Sequence, residues 1–195
     1  ETSTDMLNAS GTGSASYTGV YIYPTGGAMR TISASGFTTL PLIELNGADR
    51  ITIDGLNTGG NGLTITNPSN NAGAMTIRLV GDACRNIIRN CTILGSNAST
   101  TAAPFGTIHI STGSITGNDS NVIANNLIGD AAGGLPAFGI YSFSGSSTIS
   151  NDTIIVANNE IYNWFSTIAS SDAAAIWANS GSSITSNSFW TISGN

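Results

Sequence analysis

The sequence predicts an all-β solenoid, a chain wound into stacked coils, and three observations carry that prediction. Five isoleucines, Ile43, Ile77, Ile108, Ile140 and Ile176, recur at steps of 34, 31, 32 and 36 residues. A second column, Asp54, Asn90, Asn125, Asn158 and Asn187, runs in phase with the first. Both columns sit in short alternating segments separated by stretches of Gly, Ser, Thr, Asn and Pro. Self-similarity at such a period marks an architecture in which each unit buries its apolar face only against its neighbours.

Composition agrees with a packed chain of this kind. At 195 residues it suffices for one domain with a substantial core. Disordered chains are poor in aliphatic residues and rich in charge. Here hydrophobic residues make up 40% and charged residues 8%. There is no Lys, and the net charge is −6. Nucleic-acid binding, which needs clustered Lys and Arg, is therefore not expected. Nor is docking on anionic membranes, and no apolar run approaches the ~18 residues of a membrane span. Position 1 is Glu and no signal peptide is visible, which reads as a processed or trimmed chain. Residues 1–18 read as an arm or linker, and 19–195 as a single domain.

The elements follow in order. Val20-Tyr21-Ile22-Tyr23 alternates, and Arg30-Thr31-Ile32-Ser33 follows a Gly-Gly turn. The first column lies in Leu42-Ile43-Glu44-Leu45, Thr76-Ile77-Arg78-Leu79, Thr107-Ile108-His109-Ile110, Gly139-Ile140-Tyr141-Ser142 and Ala175-Ile176-Trp177-Ala178. Period-two alternation makes each a strand with its Ile inward. Glu44, Arg78, His109, Tyr141 and Trp177 then form a column on the outside. The second column ends Ile51-Thr52-Ile53-Asp54, Ile87-Ile88-Arg89-Asn90, Val122-Ile123-Ala124-Asn125, Ile155-Val156-Ala157-Asn158 and Ile184-Thr185-Ser186-Asn187. Three residues after it stand Ile93, Ile128, Ile161 and Trp190, with Asn57 the exception. Aliphatic residues on both sides of a polar bend place two short strands at a corner. Asn suits that corner because it tolerates the left-handed conformation, and stacked amides can bond along the stack. The stretches 57–62, 67–73, 97–104, 130–136 and 166–173 are turns whose variable length lets the period drift.

The result is about six coils of roughly 31–36 residues. Coil size and corner Asn resemble the right-handed parallel β-helix, the pectate-lyase-like architecture. Phrases such as Glu44-Leu45-Asn46-Gly47-Ala48-Asp49-Arg50-Ile51-Thr52-Ile53-Asp54-Gly55 look like repeats of large secreted bacterial surface proteins. The resemblance covers roughly Val20 to Asn195. It implies a secreted or cell-surface protein with a structural or adhesive role.

Candidate chemistry is sparse. The resemblance also admits polysaccharide lyases and hydrolases, the alternative reading. Calcium wants six to eight oxygens, and the acids are scattered among turns with no tight pair, so no metal, cofactor or catalytic residue is assigned. Asp119 and Asp152 precede adjacent strands, and glycoside hydrolysis needs two carboxyls ~5–10 Å apart. They read first as turn caps. The outside column Glu44, Arg78, His109, Tyr141, Trp177 is the candidate binding surface. Its aromatic members suit sugar stacking and Arg78 and His109 suit hydroxyls; the other reading is an ordinary solvated face. Trp164-Phe165 is a candidate contact patch.

Cys84 and Cys91 lie seven apart on a predicted strand, ~20 Å from end to end, which a disulfide does not span. Asn-x-Ser/Thr triplets start at Asn8, Asn90, Asn97, Asn118 and Asn151, and all but Asn90 fit loops. The chain stops at Ser193-Gly194-Asn195 without a capping element. That suggests a section of a longer β-helix, or a homo-oligomer stacked end to end.

Overall fold

The computed structural model describes residues 1–35, 39–100, 105–132, 134–144, 146, 148–165, 172–179 and 187–195. The predicted segments 101–104, 166–171 and 184–186, and Gly133, lie outside the described residues. Every regular element among those described is a β-strand. The first turn holds β1 (Asp5–Asn8), β2 (Val20–Ile22) and β3 (Met29–Ser33). The second holds β4 (Ile43–Asn46), β5 (Ile51–Asp54) and β6 (Gly62–Asn67), and the third β7 (Ile77–Val80), β8 (Ile87–Arg89) and β9 (Thr92–Gly95). The fourth holds β10 (Ile108–Ile110), β11 (Val122–Ala124) and β12 (Leu127–Asp130). The fifth holds β13 (Phe138–Phe143), β14 (Ile155–Ala157) and β15 (Glu160–Ile161). Strands β16 (Ala174–Asn179) and β17 (Thr191–Ser193) begin a sixth.

First strands of each turn pair in parallel as sheet A, second strands as sheet B and third strands as sheet C. The molecule is thus a three-faced parallel β-solenoid of about five turns. The segment read as an arm supplies β1, which pairs with β4 from Asp5↔Ile43 to Asn8↔Asn46.

The isoleucine column stacks as expected, Ile43↔Ile77↔Ile108↔Ile140↔Ile176. Two further columns close the core. Sheet B contributes Ile22, Ile53, Ile88, Ile123, Val156 and Ile192. Sheet C contributes Ile32, Ile65, Ile93, Ile128 and Ile161. The central members of all three are fully buried. Each such side chain contributes about 1.5–3 kcal/mol of burial. β-Branched residues recur because a flat, half-buried strand restricts χ1 little further.

The B–C corner follows the predicted Asn column in its middle and departs from it at both ends. Asn90, Asn125 and Asn158 align and hold φ of 55°, 56° and 54°. In the second turn the aligned residue is Gly55, not Asp54, since Asp54 pairs with Arg89. A Cβ at Gly55 would stand 1.9 Å from the Asn90 carbonyl oxygen, so no side chain fits there. In the last turn the position falls on Gly194, φ 67°, and Asn187 lies at another corner. Glycine replaces asparagine there because both accept a positive φ. Trp190 consequently precedes β17 rather than joining the Ile93–Ile161 column.

The buried amide ladder is one residue further on. Asn126 Oδ1 accepts the Cys91 N–H at 3.0 Å, Asn159 Oδ1 the Asn126 N–H at 3.0 Å, and Asn195 Oδ1 the Asn159 N–H at 3.0 Å. Their amides also bond side chain to side chain, Asn126 Nδ2 to Asn159 Oδ1 at 3.0 Å and Asn159 Nδ2 to Asn195 Oδ1 at 2.8 Å.

The A–B corner carries devices that sequence reading missed. Arg50, Arg85, Ser120, Thr153 and Phe189 all hold φ of 58–59°. Just inside them Asn118, Asn151 and Asn187 form a second ladder, each Oδ1 accepting the backbone N–H one turn earlier. Asn86 and Asn121 add a two-rung ladder at the start of sheet B. Buried turn amides need acceptors, and stacked Asn side chains supply them.

Candidate functional site

The outside column assembles in register, Glu44↔Arg78↔His109↔Tyr141↔Trp177. It is not, however, a solvated face. Glu44, His109 and Tyr141 are buried, and Arg78 and Trp177 partly so. Phe105 and Ala137, from the segments leading into β10 and β13, pack outside sheet A with Phe138, Tyr141, Phe143 and Trp177. The Phe105 ring meets Tyr141 edge-on at 4.7 Å, and Phe138 meets Trp177 edge-on at 5.4 Å. Such edge-to-face pairs are favoured by the ring quadrupoles. The aromatic members of the expected ligand surface, Tyr141 and Trp177, are therefore packed into a small second core. Arg78 reaches Glu44 at 3.3 Å. Burial, reinforced by the Arg78 charge, pushes His109 down to about 3. It is a neutral ring at ordinary pH, packed against Tyr141 at 5.7 Å.

The carboxylates of Asp119 and Asp152 are engaged by the turn. A ladder on the outer side of the A–B corner runs through them. Asp49 Oδ1 accepts the Cys84 N–H at 2.8 Å, and the Cys84 sulfur accepts the Asp119 N–H at 3.3 Å. Asp119 Oδ1 accepts the Asp152 N–H at 2.8 Å, and Asp152 Oδ1 the Ser188 N–H at 2.6 Å. Burial first, and the Asp152 charge after the opposing hydrogen bond, hold the Asp119 carboxyl above the usual range. Among the described residues no group of three or more His, Cys, Asp or Glu is placed to hold a metal ion.

Other singled-out residues take structural positions. Asp54 accepts four donors: Tyr21 Oη, the Leu56 N–H, Arg89 Nε and Asn90 Nδ2. Asp82 accepts the backbone N–H groups of Ser114, Ile115, Thr116 and Gly117, a concave nest for an anion. Cys84 and Cys91 are free and buried. Asn97, Asn118 and Asn151 lie between strands, as read, but are fully buried. Trp164 and Phe165 are exposed at 38% and 55%, a surface pair as read.

One concavity follows the stack axis at the B–C corner. It is an open depression of about 390 Å³ lined by Asn57, Thr92, Asn125, Leu127, Asn158 and Glu160, with Cys91 and Asn126 also in its lining. The left-handed backbone at Asn125 and Asn158 turns both side chains outward, away from the buried Asn126 and Asn159. On the other wall Thr92, Leu127 and Glu160 are register partners on sheet C. The signal for this groove lay in the Asn column itself, which sequence reading treated as structure alone.

Fold and surface together define a parallel β-solenoid. Comparisons with protein families, curated proteins and solved structures found no match.

Proposed function

We propose that this chain is a non-catalytic structural module: a section of right-handed, pectate-lyase-like solenoid of the secreted bacterial surface kind. It serves as a rigid spacer and associates end to end. The supporting observation is that its sheets and amide ladders repeat along the stack axis while the terminal strand of each sheet pairs on one side only among the described residues. Ile192 occupies the inner column of sheet B, yet it is 51% exposed, and β17 is the terminal strand of that sheet among the described residues. At the opposite edge the inward residues Leu7, Ile22 and Ile32 are only partly buried, unlike their counterparts in the middle turns. Unpaired strand edges with apolar side chains recruit further strands. Those strands come from a continuing polypeptide or from a second copy, and a second copy would give an open filament.

Sedimentation velocity and electron microscopy over a concentration series test the association. Concentration-dependent oligomers or rods are expected, with Ile192→Lys shifting the population to monomer. A monodisperse 19.8 kDa species at high concentration would sink the end-to-end reading.

A further inference from the structure

We infer that the B–C corner groove is a binding site for an extended neutral or amino-sugar polysaccharide lying parallel to the stack axis. This goes beyond the structural reading and does not depend on end-to-end association. The groove reaches from Asn57 in the second turn to Asn158 and Glu160 in the fifth. At ~4.8 Å per turn that is ~14 Å, room for a short run of sugar rings. Each turn therefore offers its contacts at a spacing close to that of successive rings in an extended chain.

The lining chemistry selects the ligand. Asn amides both donate and accept, as sugar hydroxyls do. Asn125 and Asn158 are exposed, and their left-handed backbone directs both side chains outward. Asn90, in the same column, does not line the groove because its amide donates to Asp54 at 2.8 Å. Leu127 offers an apolar spot for the C–H face of a ring. Glu160 accepts from paired hydroxyls or from a sugar ammonium. No cation is among the lining residues, and the chain carries a net charge of −6. A polyuronide would bring unpaired carboxylates against Glu160, so acidic polysaccharides are rejected.

Affinity electrophoresis tests this with three soluble probes: hydroxyethylcellulose, glycol chitosan and polygalacturonate. Retardation is expected in the first or second and not in the third. The double variant Asn125→Gly/Asn158→Gly removes both amides while keeping the backbone, as Gly194 does in the same column. Losing two hydrogen bonds should weaken binding about tenfold, with unchanged thermal unfolding. Glu160→Gln should weaken glycol chitosan more than hydroxyethylcellulose. The proposal is overturned if neither of the first two polymers retards the chain, if polygalacturonate retards it equally, or if the double variant binds like the parent. Size is measured alongside, so a monomer that binds leaves the groove standing even where association fails.

Discussion

Replacing Asn126 by alanine cuts the buried ladder at its centre. The Cys91 N–H loses its acceptor, and Ile88 O loses the Nδ2 donor at 2.9 Å. Asn159 Oδ1 keeps the Asn126 backbone N–H but loses the side-chain donor. The orphaned N–H dominates, because an unsatisfied buried donor costs about 1–3 kcal/mol. Adding the weakened partners gives about 2–3 kcal/mol. In a chain of this size 1 kcal/mol moves Tm by about 2–4 °C, so the variant should melt roughly 5–10 °C lower. The neighbour provides the control. Asn125 points outward, so Asn125→Gly should leave Tm nearly unchanged, and Asn125→Ala should cost only the left-handed strain, about 1 kcal/mol. Differential scanning calorimetry of the three variants decides. If Asn126→Ala melts within ~2 °C of the parent, or Asn125→Ala costs more than Asn126→Ala, the assignment of the two columns is wrong.

Three further outcomes follow from local geometry. Phe189 is 84% exposed at φ 58°; Phe189→Gly should relieve left-handed strain and raise stability by about 0.5–1 kcal/mol in urea unfolding. Burial raises the Asp82 carboxyl, but the four backbone donors outweigh it and hold it below the ordinary carboxylate value. A depressed folded value gives stability that is present above the unfolded value near ~4 and lost as pH falls through the folded one. Asp82→Asn should therefore flatten the stability slope below about pH 4, measured by urea unfolding at stepped pH. Burial pushes the Cys91 thiol up to about 12 and raises Cys84 as well. Neither should react with maleimide in the folded chain at pH 7.5, and both should react in denaturant, read by mass spectrometry.

The apolar period was legible because it is a packing rule: Ile43 through Ile176 must face the core once per turn, whatever the turns between them do. Corner chemistry was less legible because several residue types satisfy one backbone requirement. Ser-Gly-Asn at 193–195 plays the part of Ala-Asn-Asn at 157–159, so a search for Asn alone settles on Asn187. At the A–B corner Arg50, Arg85, Ser120, Thr153 and Phe189 hold one left-handed position with no shared side-chain chemistry. Their conformation is imposed by backbone bonds such as Arg85 N to Asp119 O at 3.0 Å. Alternation correctly put Glu44, Arg78, His109, Tyr141 and Trp177 on the outer side of sheet A. It carried no information on whether Phe105 and Ala137 pack against Tyr141 and Trp177, since that depends on contacts between irregular segments.

That cover changes where binding is to be sought. A solenoid with one core leaves all three outer faces open, and the aromatic side chains on sheet A would be the first place to look for a ligand. Here they pack against one another, and burying large aromatic rings in a second core rigidifies the face while withdrawing it from solvent. Besides exposed side chains such as Trp164 and Phe165, the end strands and the B–C corner remain for partners, and the corner repeats along the stack. A ligand that recognises the corner over several turns would itself be repetitive along the axis, as a polysaccharide chain is. This explains why one corner position can carry two tasks. The residue aimed inward, Asn126 or Asn159, closes a buried ladder in its turn. The residue before it, Asn125 or Asn158, needs only a left-handed backbone, which glycine supplies equally well at position 194. The outward amides are therefore the part of the corner that structure alone does not require, and the part on which binding by this chain should depend.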